Sequence, residues 1–97
     1  MIVHIVMFKF KDENKEANLE KATKMLNSLV GVVPSLKSME VGINFDTADR
    51  AFDLSLYSTF DTKDGLDAYA IDPAHLEVVK FIKEVALESK VVDYIKS

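Results

Sequence analysis

The first eleven residues constrain the fold most, because they alternate as a strand does and yet are apolar on both faces. One face carries Ile2, His4, Val6, Phe8 and Phe10, and the other carries Val3, Ile5 and Met7. β-branched and aromatic residues favour strands. A strand that is apolar on both faces is central in its sheet, with protein on each side. The segment therefore predicts a central strand over residues 1–11.

The next segment has the periodicity of an amphipathic helix. Apolar residues at spacings of three and four predict a helix over residues 16–30, with charged residues on the rest of its surface. These apolar residues are Leu19, Ala22, Leu26, Leu29 and Val30. Gly31 suits the left-handed position just past a helix end, and Pro34 prevents the helix from continuing.

Two more strands, a broken helix and a final strand follow. Residues 36–44 and 51–60 alternate between apolar and polar side chains, which predicts strands. Asp61 or Thr62 can cap a short helix, and Asp72-Pro73 begins a second helical segment that extends to about residue 87. Glu84, Glu88 and Lys90 are expected at its exposed end. The last strand is predicted over residues 91–95.

The element order β-α-β-β-α-β is the split βαβ arrangement, an α+β fold with a four-stranded antiparallel sheet and helices on one face. The 97 residues form a single domain, residues 1–97. The other face of the sheet has no helix to cover it. Burial of one large apolar side chain contributes about 1.5–3 kcal/mol. We therefore expect a homodimer whose sheets face each other and enclose a space.

Composition excludes several classes of partner and location. Twelve basic residues against sixteen acidic ones give a net charge of −4, which argues against nucleic-acid binding. The chain has no cysteine, so disulfides, a thiolate nucleophile and cysteine-based metal sites are excluded. No apolar run approaches the roughly 20 residues of a membrane span, and the apolar start is too short for a secretory leader. We expect a cytoplasmic protein that binds no membrane.

The candidate chemistry is concentrated in residues 69–75. A neutral imidazole such as His75 can take a proton from an activated C–H bond, and the Tyr69 hydroxyl can hold an oxyanion. The helix start at Asp72-Pro73 adds free N–H groups that favour negative charge. This set suits cofactor-free enolisation, aldol-type closure or isomerisation of a small carbonyl compound. Alternatively, His75 bonds locally in the first helical turn and Tyr69 is a core aromatic residue.

The second histidine, His4, lies on an apolar strand face and has two interpretations. It is either a buried histidine bonded to a neighbour or a polar group that lines a cavity together with His75. The two histidines with Asp53 match no known ligand spacing, so no metal site is predicted. No haem-attachment motif is present, and no cofactor is expected. Asp93 and Tyr94 are expected to be structural residues.

Four segments in order resemble one family. Residues 3–9, 42–44, 69–75 and 92–94 are similar to motifs of the stress-responsive A/B barrel domain (Dabb) family. The resemblance implies a ferredoxin-like fold and a dimeric α/β barrel. One plant member of that family closes a polyketide with a tyrosine and a histidine of the third motif. The resemblance assigns these catalytic roles to Tyr69 and His75 and places His4 beside the same cavity. We expect a small-molecule pocket between the sheets and the helix start at Asp72-Pro73, with His4 and Asp72 as binding residues and Asp72 as the helix cap. Asp72 stands where the motif usually has a histidine.

Three functions remain open at this stage. The chain is a stress-associated dimer without catalysis, a cofactor-independent enzyme, or a module that binds a small apolar or carbonyl ligand. The enzyme would act as a cyclase or isomerase on a carbonyl or polyketide-like substrate. A monooxygenase of the same architecture would need a substrate that itself activates oxygen.

Overall fold

The computed structural model describes all 97 residues, Met1–Ser97. The elements follow the predicted order, with the second helix divided in two. They are β1 (Ile2–Phe10), α1 (Lys15–Asn27), β2 (Ser38–Ile43), β3 (Leu54–Phe60), α2 (Lys63–Ile71), α3 (Pro73–Val85) and β4 (Ala86–Ile95). The split βαβ prediction is confirmed.

The four strands form one antiparallel sheet in the order β2-β3-β1-β4. β1 is central, as its two apolar faces predicted. Its register sets His4 opposite Ser58 of β3 and opposite Asp93 of β4. Because neighbouring residues across a sheet share a face, the even-numbered residues of β1 lie on one side with Leu54, Leu56, Ser58 and Phe60.

The helices cover this even-numbered side of the sheet and build the core with it. The core contains Ile2, Phe10, Leu19, Ala22, Leu26, Leu54, Leu56, Phe60, Tyr69, Val78 and Ile82, among others. Four of the five residues of the stripe predicted for the first helix belong to this core, and the fifth, Val30, is 45% exposed. No helix of the chain is long and apolar enough to span a bilayer.

The odd-numbered residues of β1 lie on the opposite side, which no helix covers. We call this side the open face: Val3, Ile5 and Met7 with Tyr57, Lys90, Val92 and Tyr94 beside them, and the polar Glu40, Ser55 and Thr59. Val92 is 55% exposed and Tyr94 is 43% exposed. Val3 is buried even in a single chain, so the apolar surface left to solvent on this face consists mainly of Met7, Val92 and Tyr94, with Ile5 and Tyr57 half-buried beside them.

Three predicted boundaries were wrong by three residues or more. β3 begins at Leu54 rather than at residue 51. α1 ends at Asn27 rather than at residue 30, because the chain tightens into bonds such as Leu29 N–H to Leu26 O, 3.1 Å. Gly31 is left-handed, with φ of 86°, as predicted.

The last strand is twice as long as expected and begins at Ala86. Glu88 and Lys90 therefore lie on β4 and not on a helix, while Glu84 lies on α3. Pairing with β1 along almost its whole length holds this polar segment in the sheet, although its sequence has no clear strand pattern.

Candidate functional site

The junction between α2 and α3 builds the site. α2 ends at Ile71, and Asp72 adopts an extended conformation before Pro73 begins α3. The Asp72 carboxylate accepts a hydrogen bond from the Ala74 N–H at 2.9 Å. The backbone N–H of Asp72 donates to the carbonyl oxygen of Tyr69 at 3.2 Å. Asp72 thus fastens the first turn of α3 to the last turn of α2, as its predicted cap role requires.

Tyr69 and His75 lie against each other across this junction. Their ring centroids are 4.1 Å apart, with 37° between the ring planes. Tyr69 is 1% exposed and also packs on Phe60, with ring centroids 5.1 Å apart. Burial raises the pKa of Tyr69 to about 12. The side chain is therefore a neutral phenol near pH 7 and can donate a hydrogen bond.

The protonation state of His75 follows from its surroundings. Burial lowers the pKa of His75 below its ordinary value, and the charge of His4 lowers it further. The hydrogen bond with the Ala70 backbone and the charge of the Asp72 carboxylate both raise the pKa of His75, but the lowering by burial is larger. The Nδ1 atom is 3.3 Å from Ala70 O. Because a carbonyl oxygen only accepts, Nδ1 carries the proton and Nε2 has a free lone pair.

His4 lies on the sheet opposite this pair. Its ring centroid is 6.4 Å from that of Tyr69 and 6.5 Å from that of Phe60. Its Nδ1 atom is hydrogen-bonded to Oδ1 of Asp93 on the neighbouring strand. His4 is therefore a histidine bonded to a neighbour, and it also faces Tyr69.

These three side chains share one cavity of about 330 Å³. Ten of its fifteen lining residues are hydrophobic, including Val6, Phe8, Leu56, Val78, Val79 and Ile82. The cavity lies inside a single chain, between α3 and the helix-covered side of the sheet. This cavity is bounded by the sheet of one chain and by α3, which begins at the Asp72-Pro73 pair, because His4, Val6 and Phe8 point toward the helices.

Asp72, a predicted binding residue, does not line this cavity. Neither does Asp53, the carboxylate considered with the two histidines for a metal site. Asp72 is engaged in capping α3. The Asp53 carboxylate accepts from the Phe10 N–H at 2.7 Å and lies 3.6 Å from Lys15 Nζ. No group of three or more histidine, aspartate or glutamate side chains is arranged to hold a metal ion.

Sequence reasoning missed Asp93 as a partner of His4. The information was present, because the last strand of a split βαβ fold lies beside the first. Matching the alternation of the two strands sets Asp93 directly opposite His4, each as the polar residue of its face. Residues 87–89 at the far end of the cavity were also missed, since the last strand was predicted too short, and Lys83 on α3 was missed because an exposed lysine near a helix end is ordinary.

An antiparallel sheet in this order, with all helices on one side and a cavity beneath them, defines the ferredoxin-like α+β class. Residues 2–96 match the Stress responsive A/B Barrel Domain (Dabb) family, and the chain belongs to it.

Named relatives have different roles. The chain is 29% identical over 77 residues to olivetolic acid cyclase of Cannabis sativa, covering 77% of this chain and 76% of the cyclase. It is 32% identical over 77 residues to a stress-response A/B barrel domain-containing protein of Arabidopsis thaliana, covering 76% and 67% of the two chains. The crystal structure of a dimeric ferredoxin-like protein of unknown function from Bacteroides fragilis has a TM-score of 0.86 and 29% identity, covering 96% of this chain and 93% of that one.

Proposed function

We propose that the chain is a cofactor-independent enzyme that binds a small, largely apolar carbonyl compound in this cavity, with His75 as base and Tyr69 as its helper. The observation that supports this most is the contact between the two rings, 4.1 Å apart, at the wall of a cavity lined mainly by hydrocarbon. A volume of about 330 Å³ is at the lower end of the range of small-molecule sites.

In the proposed reaction, Nε2 of His75 takes a proton from the carbon next to the substrate carbonyl. The C–H electron pair becomes the C=C bond of an enolate, and the carbonyl oxygen gains the negative charge. The Tyr69 hydroxyl donates a hydrogen bond to that oxygen, which stabilises the charge. The enolate then either attacks a second carbonyl within the same molecule or regains a proton from His75 at another carbon. These outcomes are aldol-type closure and isomerisation.

His4 and Asp72 support this reaction in different ways. Since Nδ1 of His4 is engaged by Asp93, its Nε2 is the nitrogen available to a ligand, and we propose that it binds a second substrate oxygen. Asp72 acts through position: its cap sets the first turn of α3, which carries His75.

The resemblance to a named cyclase supports this class of reaction. This chain is a Dabb protein, and its similarity to the cyclase covers 77% of this chain and 76% of the cyclase. The substrate of that cyclase is not carried over, because similarity at 29% identity does not define a pocket wall.

Proton exchange tests the proposal without knowledge of the natural substrate. Octanal and cyclohexanone are incubated with the protein in D₂O, and deuterium incorporation beside the carbonyl is followed by NMR. We expect enzyme-dependent exchange that falls about 10²- to 10⁴-fold in His75→Ala, the usual contribution of a general base. Exchange that is unchanged in His75→Ala would refute the assignment. Binding of both carbonyl compounds without any exchange would favour a binding module.

We further infer that two copies associate through the open face, as supported by its exposed apolar residues. The Bacteroides fragilis protein of the same fold is dimeric, which supports association of two copies. Sedimentation velocity tests it directly, and a monomer at micromolar concentration would refute it. A cytoplasmic location stays a prediction.

A further inference from the structure

The cavity is a slot with chemically different ends. Five of its lining residues lie on one stripe of α3, at spacings of three and one: His75, Val78, Val79, Ile82 and Lys83. His75 and Lys83 are eight residues apart, which is about 12 Å along a helix. β1 follows the same direction on the facing wall, from His4 through Val6 to Phe8. The slot therefore extends from His4 and His75 at one end to Lys83 at the other, with apolar side chains between them.

The far end of the slot is open to solvent and carries a free positive charge. Lys83, Glu88 and Ser89 line it, and all three are exposed. The Glu88 carboxylate is 3.2 Å from Lys90 Nζ, so its charge is already paired. Lys83 forms no ion pair with any residue of the chain. The nearby Ser89 hydroxyl can add a hydrogen-bond donor for an anion.

We propose that the ligand of this cavity is an elongated carbonyl compound whose other end carries an anionic group, held at Lys83. This inference rests on the proposed function and adds the class of substrate. The hydrocarbon walls fit an apolar chain, the imidazole end holds the reactive carbonyl, and the lysine end holds a carboxylate or a phosphate.

Lys83 also lies in the last turn of α3, where a cation stabilises the helix dipole in the absence of any ligand. The two roles differ in what they change. A role in the helix alone alters thermal unfolding, whereas a role in binding alters the preference for charged over neutral ligands.

Calorimetric titration with octanoate and with octanol at pH 8 separates these roles, because the two probes share a chain and differ in charge. We expect the wild-type protein to bind octanoate about two- to fivefold more tightly than octanol, the range of an exposed charge pair. Salt at 1 M should reduce this preference, since it screens the charges. Octyl phosphate in place of octanoate shows which anion is favoured.

The variant Lys83→Met keeps the apolar stem and removes the charge, and Lys80→Met is its control. Lys80 is exposed on the same helix and does not line the cavity. We expect Lys83→Met to bind octanol as before and to lose most of the preference for octanoate, and Lys80→Met to retain it. Equal binding of both probes to wild type, or a preference that survives in Lys83→Met, overturns the inference and leaves the proposed reaction intact. Failure of every probe to bind overturns both.

Discussion

His4 on β1 and Asp93 on β4 are joined by a hydrogen bond between Nδ1 and Oδ1 in the register where the two residues face each other. The bond spans the border between the cavity and the solvent, because the His4 side chain is 17% exposed and that of Asp93 is 46% exposed. It fixes which nitrogen of His4 is available to a ligand. The pair therefore links the sheet edge to the candidate site.

Removal of this carboxylate should disturb both stability and the site. We expect Asp93→Ala to lower the free energy of unfolding by about 1 kcal/mol, since the carboxylate is half exposed and its charge is screened. The ring of His4 should also become free to rotate, which weakens ligand binding. Urea unfolding and calorimetric titration measure the two effects. Asp67→Ala, at an exposed aspartate without an ion pair, is the control and should change neither.

Two substitutions at Tyr69 should separate packing from chemistry. Tyr69→Ala removes a buried ring and should lower the free energy of unfolding by about 3–5 kcal/mol, as for other large aromatic residues. Tyr69→Phe keeps the ring and removes the hydroxyl, so it should fold normally and lose most of the proton exchange with octanal. Exchange at the wild-type rate in a folded Tyr69→Phe protein would show that the hydroxyl has no part in the reaction.

The lowered pKa of His75 sets the direction of the pH dependence. The base must be neutral, so the exchange rate should rise with pH and have its midpoint below the pKa of about 6.5 of free histidine. NMR titration of the His75 ring should give the same midpoint. A rate that still rises well above pH 6.5 would indicate a different base.

The lowered pKa of His75 also affects the stability of the fold. Between the lowered folded pKa and about 6.5, the unfolded chain binds more protons at this position than the folded chain. The free energy of unfolding should therefore decrease as the pH falls through that window and not change further through His75 below it. His75→Gln should remove this component of the pH dependence, as measured by urea unfolding at several pH values.

Loss of the α3 cap should affect the site as well as stability. Asp72→Ala should lower the free energy of unfolding by about 1 kcal/mol, the usual value for a cap, and should also reduce exchange because His75 is one turn away. Thr62→Ala removes the cap of α2, where the hydroxyl accepts from the Gly65 N–H at 3.1 Å. It should have a similar effect on stability and a small one on exchange.

Charge on the open face should prevent association. Val92→Lys inserts a cation among apolar residues that two copies would bury together, so sedimentation velocity should show a monomer. Val32→Lys alters a residue that is 60% exposed and outside the sheet. It should leave the dimer unchanged, and a dimer that persists in both variants would place the interface elsewhere.

The fold could be predicted because its main features are local. The two apolar faces of residues 1–11 established the central strand, and the Asp72-Pro73 pair established the helix restart. The extent of β4 could not be predicted, since residues 86–90 become a strand only by pairing with β1. The hydrogen bond between His4 and Asp93 joins residues that are 89 positions apart in the chain, and it could have been predicted only by aligning the last strand beside the first.

The cavity is formed by tertiary packing, so only some of its lining residues could be predicted from the sequence. His4, Tyr69 and His75 were recognised as polar or aromatic residues with chemical potential. Their meeting inside one chain required the knowledge that the even-numbered side of β1 faces the helices. Lys83 gave no signal, because an exposed lysine near a helix end is ordinary.

The interruption at Asp72 determines more than where a helix restarts. Tyr69 and His75 are six residues apart, and in an unbroken helix that spacing rotates the second side chain by about 600°, which is some 120° away from the first. The two rings would then point in different directions. The contact between the two rings therefore requires a junction of this length as well as these two residue types. A homologue with one residue added or removed there can keep both the tyrosine and the histidine and still lack the pair.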